Sequence, residues 1–139
     1  MYTINSNHYY LARRTRLRYS RQREIILNNL KGRKDHPTAD EIYTSCRVVE
    51  PNISLGTVYR NLKQLAEEGE IITLETTDNK IHYDGDVSSH SHFECEKCGK
   101  IIDIFRPMRV PKELKDMGLT VKSEKCVYYG LCTECIIKN

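Results

Sequence analysis

Apolar positions recur along this chain at two different periods, and the change from one to the other near Gly69 divides it. From Ser20 to Leu30, Ile26, Leu27 and Leu30 stand at helical spacing, with Ser20 placed to cap the start and Gly32 just past the end. A basic segment over 9–17 offers a weaker helical pattern ahead of it. After His36-Pro37, Thr38 and Glu41 have the spacing of a capping box, Ile42 supplies an inner position, and Pro51 requires the helix to have ended. A third helix is predicted from Ser54 as N-cap, burying Leu55, Val58, Leu62 and Leu65 and stopping at Gly69.

From Ile71 the period becomes two. Ile71–Glu75 and Lys80–Tyr83 flank Thr77-Asp78-Asn79, which predicts a β-hairpin directly after the third helix. Three helices followed by a hairpin make a winged helix-turn-helix, whose third helix enters the major groove of DNA. Asp, Gly and Ser then dominate up to Ser91, the composition of a hinge. Beyond it, 92–95, 100–105 and 119–129 read as strands and 111–117 as a short helix. The expected fold class is α+β: a winged-helix domain over 1–84, a hinge over 85–90, and a small α/β domain with structural zinc over 91–139.

Charge sharpens this division. Residues 1–69 hold 12 Lys+Arg against 7 Asp+Glu, whereas residues 70–139 hold 10 against 12, so a net +5 faces a net −2. A basic first half suits a polyanion and an acidic second half suits a cation. With 39% hydrophobic and 29% charged residues the chain is not of disordered composition. It has neither the roughly 18 consecutive apolar residues of a membrane span nor the apolar run of a secretory signal. The cytoplasm is the expected location.

Six cysteines occur, and Cys95, Cys98, Cys132 and Cys135 form two Cys-x-x-Cys pairs. Four thiolates are what a closed tetrahedral zinc site requires, although paired dithiols also serve redox chemistry. Cys46 and Cys126 stand alone and are read as small apolar fillers. A second group is His90-Ser91-His92, with Asp84 before it and Asp103 after. Residues two apart on a strand face the same way, and imidazoles with carboxylates suit Fe²⁺, Mn²⁺ or Zn²⁺. Taken alone, such histidines on a polar stretch are more often solvated than liganding. On the third helix Thr57, Tyr59, Arg60 and Lys63 face outward. Tyr59 and Arg60 are the candidates for base edges; Thr57, Lys63, Arg13, Arg14, Arg16 and Arg18 are candidates for phosphates.

The order of these motifs resembles the ferric uptake regulator family, and most of all its peroxide-sensing branch. The matching stretches are His36-Pro37-Thr38-Ala39-Asp40-Glu41-Ile42-Tyr43, Gly56-Thr57-Val58-Tyr59-Arg60-Asn61-Leu62, the hinge acid and histidines, Cys95-x-x-Cys98-Gly99-Lys100, and Tyr129-Gly130-Leu131-Cys132-x-x-Cys135. The resemblance implies a homodimeric repressor bound to double-stranded operator DNA. It places regulatory Fe²⁺ or Mn²⁺ on His36, Asp84, His90, His92 and Asp103, and structural Zn²⁺ on the four paired cysteines. Asp rather than Glu at position 103 is similar to the peroxide sensors, in which iron-dependent oxidation of a ligand histidine, here His36 or His90, releases the DNA. Arg60 is instead similar to the iron-uptake branch. A histidine that some members use for a second regulatory site is replaced near Glu124.

The resemblance leaves an iron- or zinc-uptake repressor without peroxide sensing as the alternative. A zinc-dependent hydrolase is disfavoured by the absence of a His-Glu-x-x-His pattern, and no catalytic residue is predicted. A protein-interaction zinc module fits neither the basic first half nor the helix-hairpin order.

Overall fold

The computed structural model describes residues 20–107 and 109–138. The basic segment over 9–17 and Arg13, Arg14, Arg16 and Arg18 therefore lie outside the described residues. In chain order the elements are α1 (Arg21–Leu30), α2 (Ala39–Val49), α3 (Leu55–Glu67), β1 (Ile72–Glu75), β2 (Ile81–Asp84), β3 (Ser91–Cys95), β4 (Ile101–Ile104), α4 (Lys112–Asp116), β5 (Val127–Gly130) and α5 (Thr133–Ile137). The expected α+β class is what forms. Internal contacts gather into two units: one runs up to Glu75 and takes in Ile81–Val87, the other comprises Thr76–Lys80 and everything from Ser88 onward.

In the first unit each helix starts where a side chain can take up an orphan amide. Ser20 Oγ accepts from Arg23 N–H at 3.4 Å, and Ser54 Oγ accepts from Thr57 N–H at 3.1 Å. At α2 the capping box is complete, with Thr38 Oγ1 accepting from Glu41 N–H and Glu41 Oε2 accepting from Thr38 N–H. Gly69 ends α3 at φ +70, where glycine carries no Cβ penalty. The core joins Ile26, Leu30, Ile42, Cys46, Val58, Leu62, Leu65, Ile71 and Tyr83.

Leu55, expected inside, is 36% exposed. It is the first residue of α3, at the outer end of the apolar stripe, and the core cluster stops at Val58. Ile53, just before the cap, takes the inner place instead; pairing of the residue before the cap with the fourth helical residue fixes how the chain enters a helix.

β1 and β2 pair antiparallel from Ile72↔Asp84 to Glu75↔Ile81, and Asn79 takes a left-handed conformation in the turn at φ +61. This completes the winged helix-turn-helix. Directly after β2, a Cβ on Gly85 would stand 2.7 Å from the carbonyl oxygen of Leu30. Only glycine allows that approach to the end of α1.

The second unit is built on a three-stranded sheet in the order β4-β3-β5, with β4 antiparallel and β5 parallel to β3. The long strand expected over 119–129 reduces to Val127–Gly130. β3 is only five residues long and pairs with β5 from His92↔Val127 to Cys95↔Gly130, so the preceding residues have no ladder to join. Helix α5 was not foreseen, because Cys-x-x-Cys spacing also suits one helical turn.

Gly85→Ala should destabilise the first unit by about 1–3 kcal/mol, the usual cost of overpacking. Thermal unfolding monitored by circular dichroism checks this, and an unchanged melting temperature would refute the close approach.

Candidate metal centres and the exposed face of the third helix

The first donor group comprises Cys95, Cys98, Cys132 and Cys135, whose sulfurs all lie within 4.8 Å of one another. Cys95 ends β3 and Cys98 follows on a turn closed by Gly99 N–H donating to the Cys95 carbonyl at 2.8 Å, with Gly99 at φ +74. Cys132 precedes α5 and Cys135 lies one turn into it. The Cys98 and Cys132 sulfurs are 3.8 Å apart. Sulfurs bound tetrahedrally at Zn–S lengths stand about 3.8 Å from one another, so the set fits zinc.

The electrostatics agree. The Cys132 amide donates to Cys95 Sγ at 3.3 Å, and this bond contributes most to holding the Cys95 thiol down at about 6. Burial, and then the neighbouring thiols, push Cys135 up to about 12. Four crowded sulfurs cannot all ionise alone, and a dication supplies the missing countercharge.

The second unit carries a harder donor group as well. His92 on β3 lies opposite Asp103 on β4 in the strand register. His90 Nε2 is 3.0 Å from His92 Nε2, and Asp103 Oδ1 is 3.5 Å from each. Nitrogen and oxygen ligands about 2.1 Å from a shared ion stand roughly 3.0–3.4 Å apart, so these spacings suit a divalent ion. The Ser88 carbonyl, 2.8 Å from His90 Nδ1, can only accept, so Nδ1 carries the proton and Nε2 presents its lone pair. The His90 ring is stacked on Phe105 at 5.0 Å between centroids.

In the first unit His36 and Asp84 form the matching pair, with Nε2 and Oδ2 3.5 Å apart and both side chains 1% exposed. Asp86 N–H donates to the other oxygen of Asp84 at 2.8 Å and orients the carboxylate. His82, not singled out from the sequence, has Nδ1 2.6 Å from the His36 carbonyl. Its signal was the His-x-Asp alternation on β2, which puts residues 82 and 84 on one face.

These two donor sets, one of sulfur and one of imidazole and carboxylate, follow a winged helix, and residues 14–129 match the model of the ferric uptake regulator family. The chain belongs to the ferric uptake regulator family. The peroxide-responsive repressor PerR of Staphylococcus epidermidis is 34% identical over 128 residues, covering 88% of this chain and 84% of that protein. PerR of Staphylococcus aureus is 35% identical, with 88% and 85% covered. Among solved structures, the Helicobacter pylori ferric uptake regulator, described as having three functional metal binding sites, superposes with a TM-score of 0.72. It is 30% identical, over 86% of this chain and 83% of that one. The Campylobacter jejuni peroxide stress regulator gives a TM-score of 0.70 at 31% identity, with 82% and 88% covered. Among the described residues no helix is long and apolar enough to cross a membrane.

As a member of the ferric uptake regulator family the chain is a metal-responsive repressor, and α3 carries residues singled out from the sequence as candidates for DNA contact. Tyr59, Arg60 and Lys63 are exposed on it, while Val58, Asn61, Leu62 and Leu65 face the core. The Tyr59 hydroxyl donates to Asp40 at 3.3 Å, which steadies the ring, and Lys63 lies 4.0 Å from Glu67. Thr57 Oγ1 is 2.8 Å from Ser54 Oγ, the N-cap oxygen of α3. Glu124 forms an ion pair with Arg106 at 3.0 Å. Cys46 is fully buried, the filler expected. Cys126 is not apolar in its surroundings: hydrogen bonds, from Tyr128 first and Arg106 next, hold its thiol below the usual range.

Replacing any of Cys95, Cys98, Cys132 or Cys135 by Ser should abolish zinc retention and unfold the second unit, because the site ties the end of β3 to α5. Elemental analysis and circular dichroism measure the two effects. In the intact protein zinc uptake should weaken as pH falls through about 6, where the Cys95 thiolate takes up a proton. A folded, zinc-free mutant would refute the structural role.

Proposed function

We propose that this chain is a homodimeric, peroxide-sensing repressor that binds double-stranded operator DNA in the cytoplasm. Its regulatory Fe²⁺ or Mn²⁺ is held by His36, Asp84, His90, His92 and Asp103, and its structural Zn²⁺ by Cys95, Cys98, Cys132 and Cys135. The observation that carries this reading is the Asp103 carboxylate 3.5 Å from both His90 and His92. The similarity to PerR of two staphylococci and to the Campylobacter jejuni peroxide stress regulator supports it.

His36 and Asp84 belong to the unit that carries α3, so ion-binding free energy acts directly on the DNA-binding half. Tyr59 and Arg60 meet base edges, and Lys63 with Arg13, Arg14, Arg16 and Arg18 neutralises phosphates, which makes operator affinity salt-dependent. Fe²⁺ held by these residues would supply the redox chemistry that activates H₂O₂, which Mn²⁺ does not readily do. His36 and His90 would then be the side chains open to oxidation, one oxygen atom of H₂O₂ passing to the imidazole and the other leaving as water, and an oxidised imidazole is a poorer ligand. The zinc sulfurs, closed around a redox-inert ion, are spared.

Operator binding should therefore be lost in peroxide by the iron-loaded protein and kept by the manganese-loaded one. Mass spectrometry should find one added oxygen on the peptide containing His36 or His90, with the four zinc cysteines intact. If the iron form stays on DNA, or the cysteines oxidise first, the protein is an iron- or zinc-uptake repressor instead. His36→Ala should leave the fold and the zinc in place while weakening metal-stimulated operator binding, measured by fluorescence anisotropy. Equal metal stimulation in mutant and wild type would remove His36 from the ligand set.

A further inference from the structure

The segment bearing His36 has an uncommon backbone conformation, and strand β2 holds it there. His36 sits at φ +48, in the left-handed region that residues with a Cβ adopt reluctantly. On the β2 side, His82 Nδ1 lies 2.6 Å from the His36 carbonyl oxygen, and Tyr83 N–H donates to the Pro37 carbonyl at 3.0 Å. Thr38 forms an isolated antiparallel bridge with His82. On the α2 side, Thr38 N–H and Oγ1 both donate to Glu41 Oε2, at 2.7 and 2.9 Å. A carbonyl oxygen can only accept, so His82 Nδ1 carries the proton. His82 and Asp84 share one face of β2, and Asp84 Oδ2 lies 3.5 Å from His36 Nε2. One strand thus brings both the candidate co-ligand and the group that grips the backbone of the other ligand.

We infer that His82 is a positioning residue for the regulatory metal site: its Nδ1–H holds the His36 carbonyl and so presets the turn that aims His36 Nε2 toward Asp84. This rests on His36 and Asp84 being regulatory ligands. The contact His82 makes with His36 is to the ligand's backbone, so through it His82 acts on orientation. Without it the turn at His36 is free to relax from its left-handed conformation, and metal binding must restore the order. Partners that orient metal ligands are typically worth about 10–100-fold in metal affinity.

The test uses the full-length, zinc-loaded protein and Mn²⁺ titrations followed by electron paramagnetic resonance. His82→Phe keeps a ring and removes the donor, whereas His82→Asn returns an N–H near the place of Nδ1. His82→Phe should bind Mn²⁺ about 10–100-fold more weakly, with zinc content and melting temperature unchanged, and His82→Asn should recover most of the affinity. A purely structural role would lower the melting temperature and would not be rescued in this way. Independently of any variant, ¹⁵N NMR of the metal-free wild type should find the His82 proton on Nδ1. Wild-type Mn²⁺ affinity in His82→Phe, failure of His82→Asn to recover it, or a neutral ring protonated on Nε2 alone would overturn the inference. A wild-type protein lacking any Mn²⁺ site sensitive to His36→Ala would overturn the proposed function itself.

Discussion

Strand β3 is the member on which the second unit depends. It is hydrogen-bonded along both edges, to β4 and to β5, and four of its five residues are buried. Within that strand His92 and Cys95 stand three residues apart, which on an extended backbone sends the imidazole to one face and the thiol to the other. The register does the rest: Asp103 is set opposite His92, and Gly130, two residues before Cys132, is set opposite Cys95. A slip of one residue would reverse the faces and take both donor groups apart together. Glu94, buried between them, accepts from Thr77 N–H at 2.9 Å and from Thr77 Oγ1 at 2.5 Å, so the same strand also secures the hairpin turn.

The separation of the two donor sets has a chemical consequence. Thiolates form a closed, soft site matched to zinc, while imidazole and carboxylate form a harder one open to iron or manganese. One small unit can thus keep a permanent ion for its folding and a harder site for exchangeable metal. His92 and Cys95 lie on the same short strand, so both donor groups are built on one rigid element.

In the first unit the equivalent constraint is the turn His36-Pro37-Thr38, caught between the cap of α2 and strand β2. Because Thr38 caps α2 while His82 and Tyr83 bind the two residues before it, a donor group is built into the same segment that starts a core helix. Gly85 then lets the chain leave β2 against the end of α1.

Much of this was legible in the order of residues, for reasons that are local. Ser20, Thr38 and Ser54 marked the helix starts because a cap is a bond between residues three apart. The Cys-x-x-Cys pairs announced zinc because their spacing is itself the geometry of a knuckle, and the shift of period after Gly69 announced the hairpin. What only the tertiary structure decided are matters of partnership between distant segments. The strand over 119–129 shrank to the length β3 could pair, Leu55 lost its inner place to Ile53, and Cys126 met Tyr128 and Arg106 in place of an apolar pocket. The His-x-Asp alternation on β2 could place His82 beside Asp84, but its partner could not be read, because a hydrogen bond to the backbone of residue 36 leaves no spacing in the chain. Local chemistry depends on near neighbours in the chain, whereas register, burial and second partners depend on which remote segment arrives, and that is a property of the fold alone.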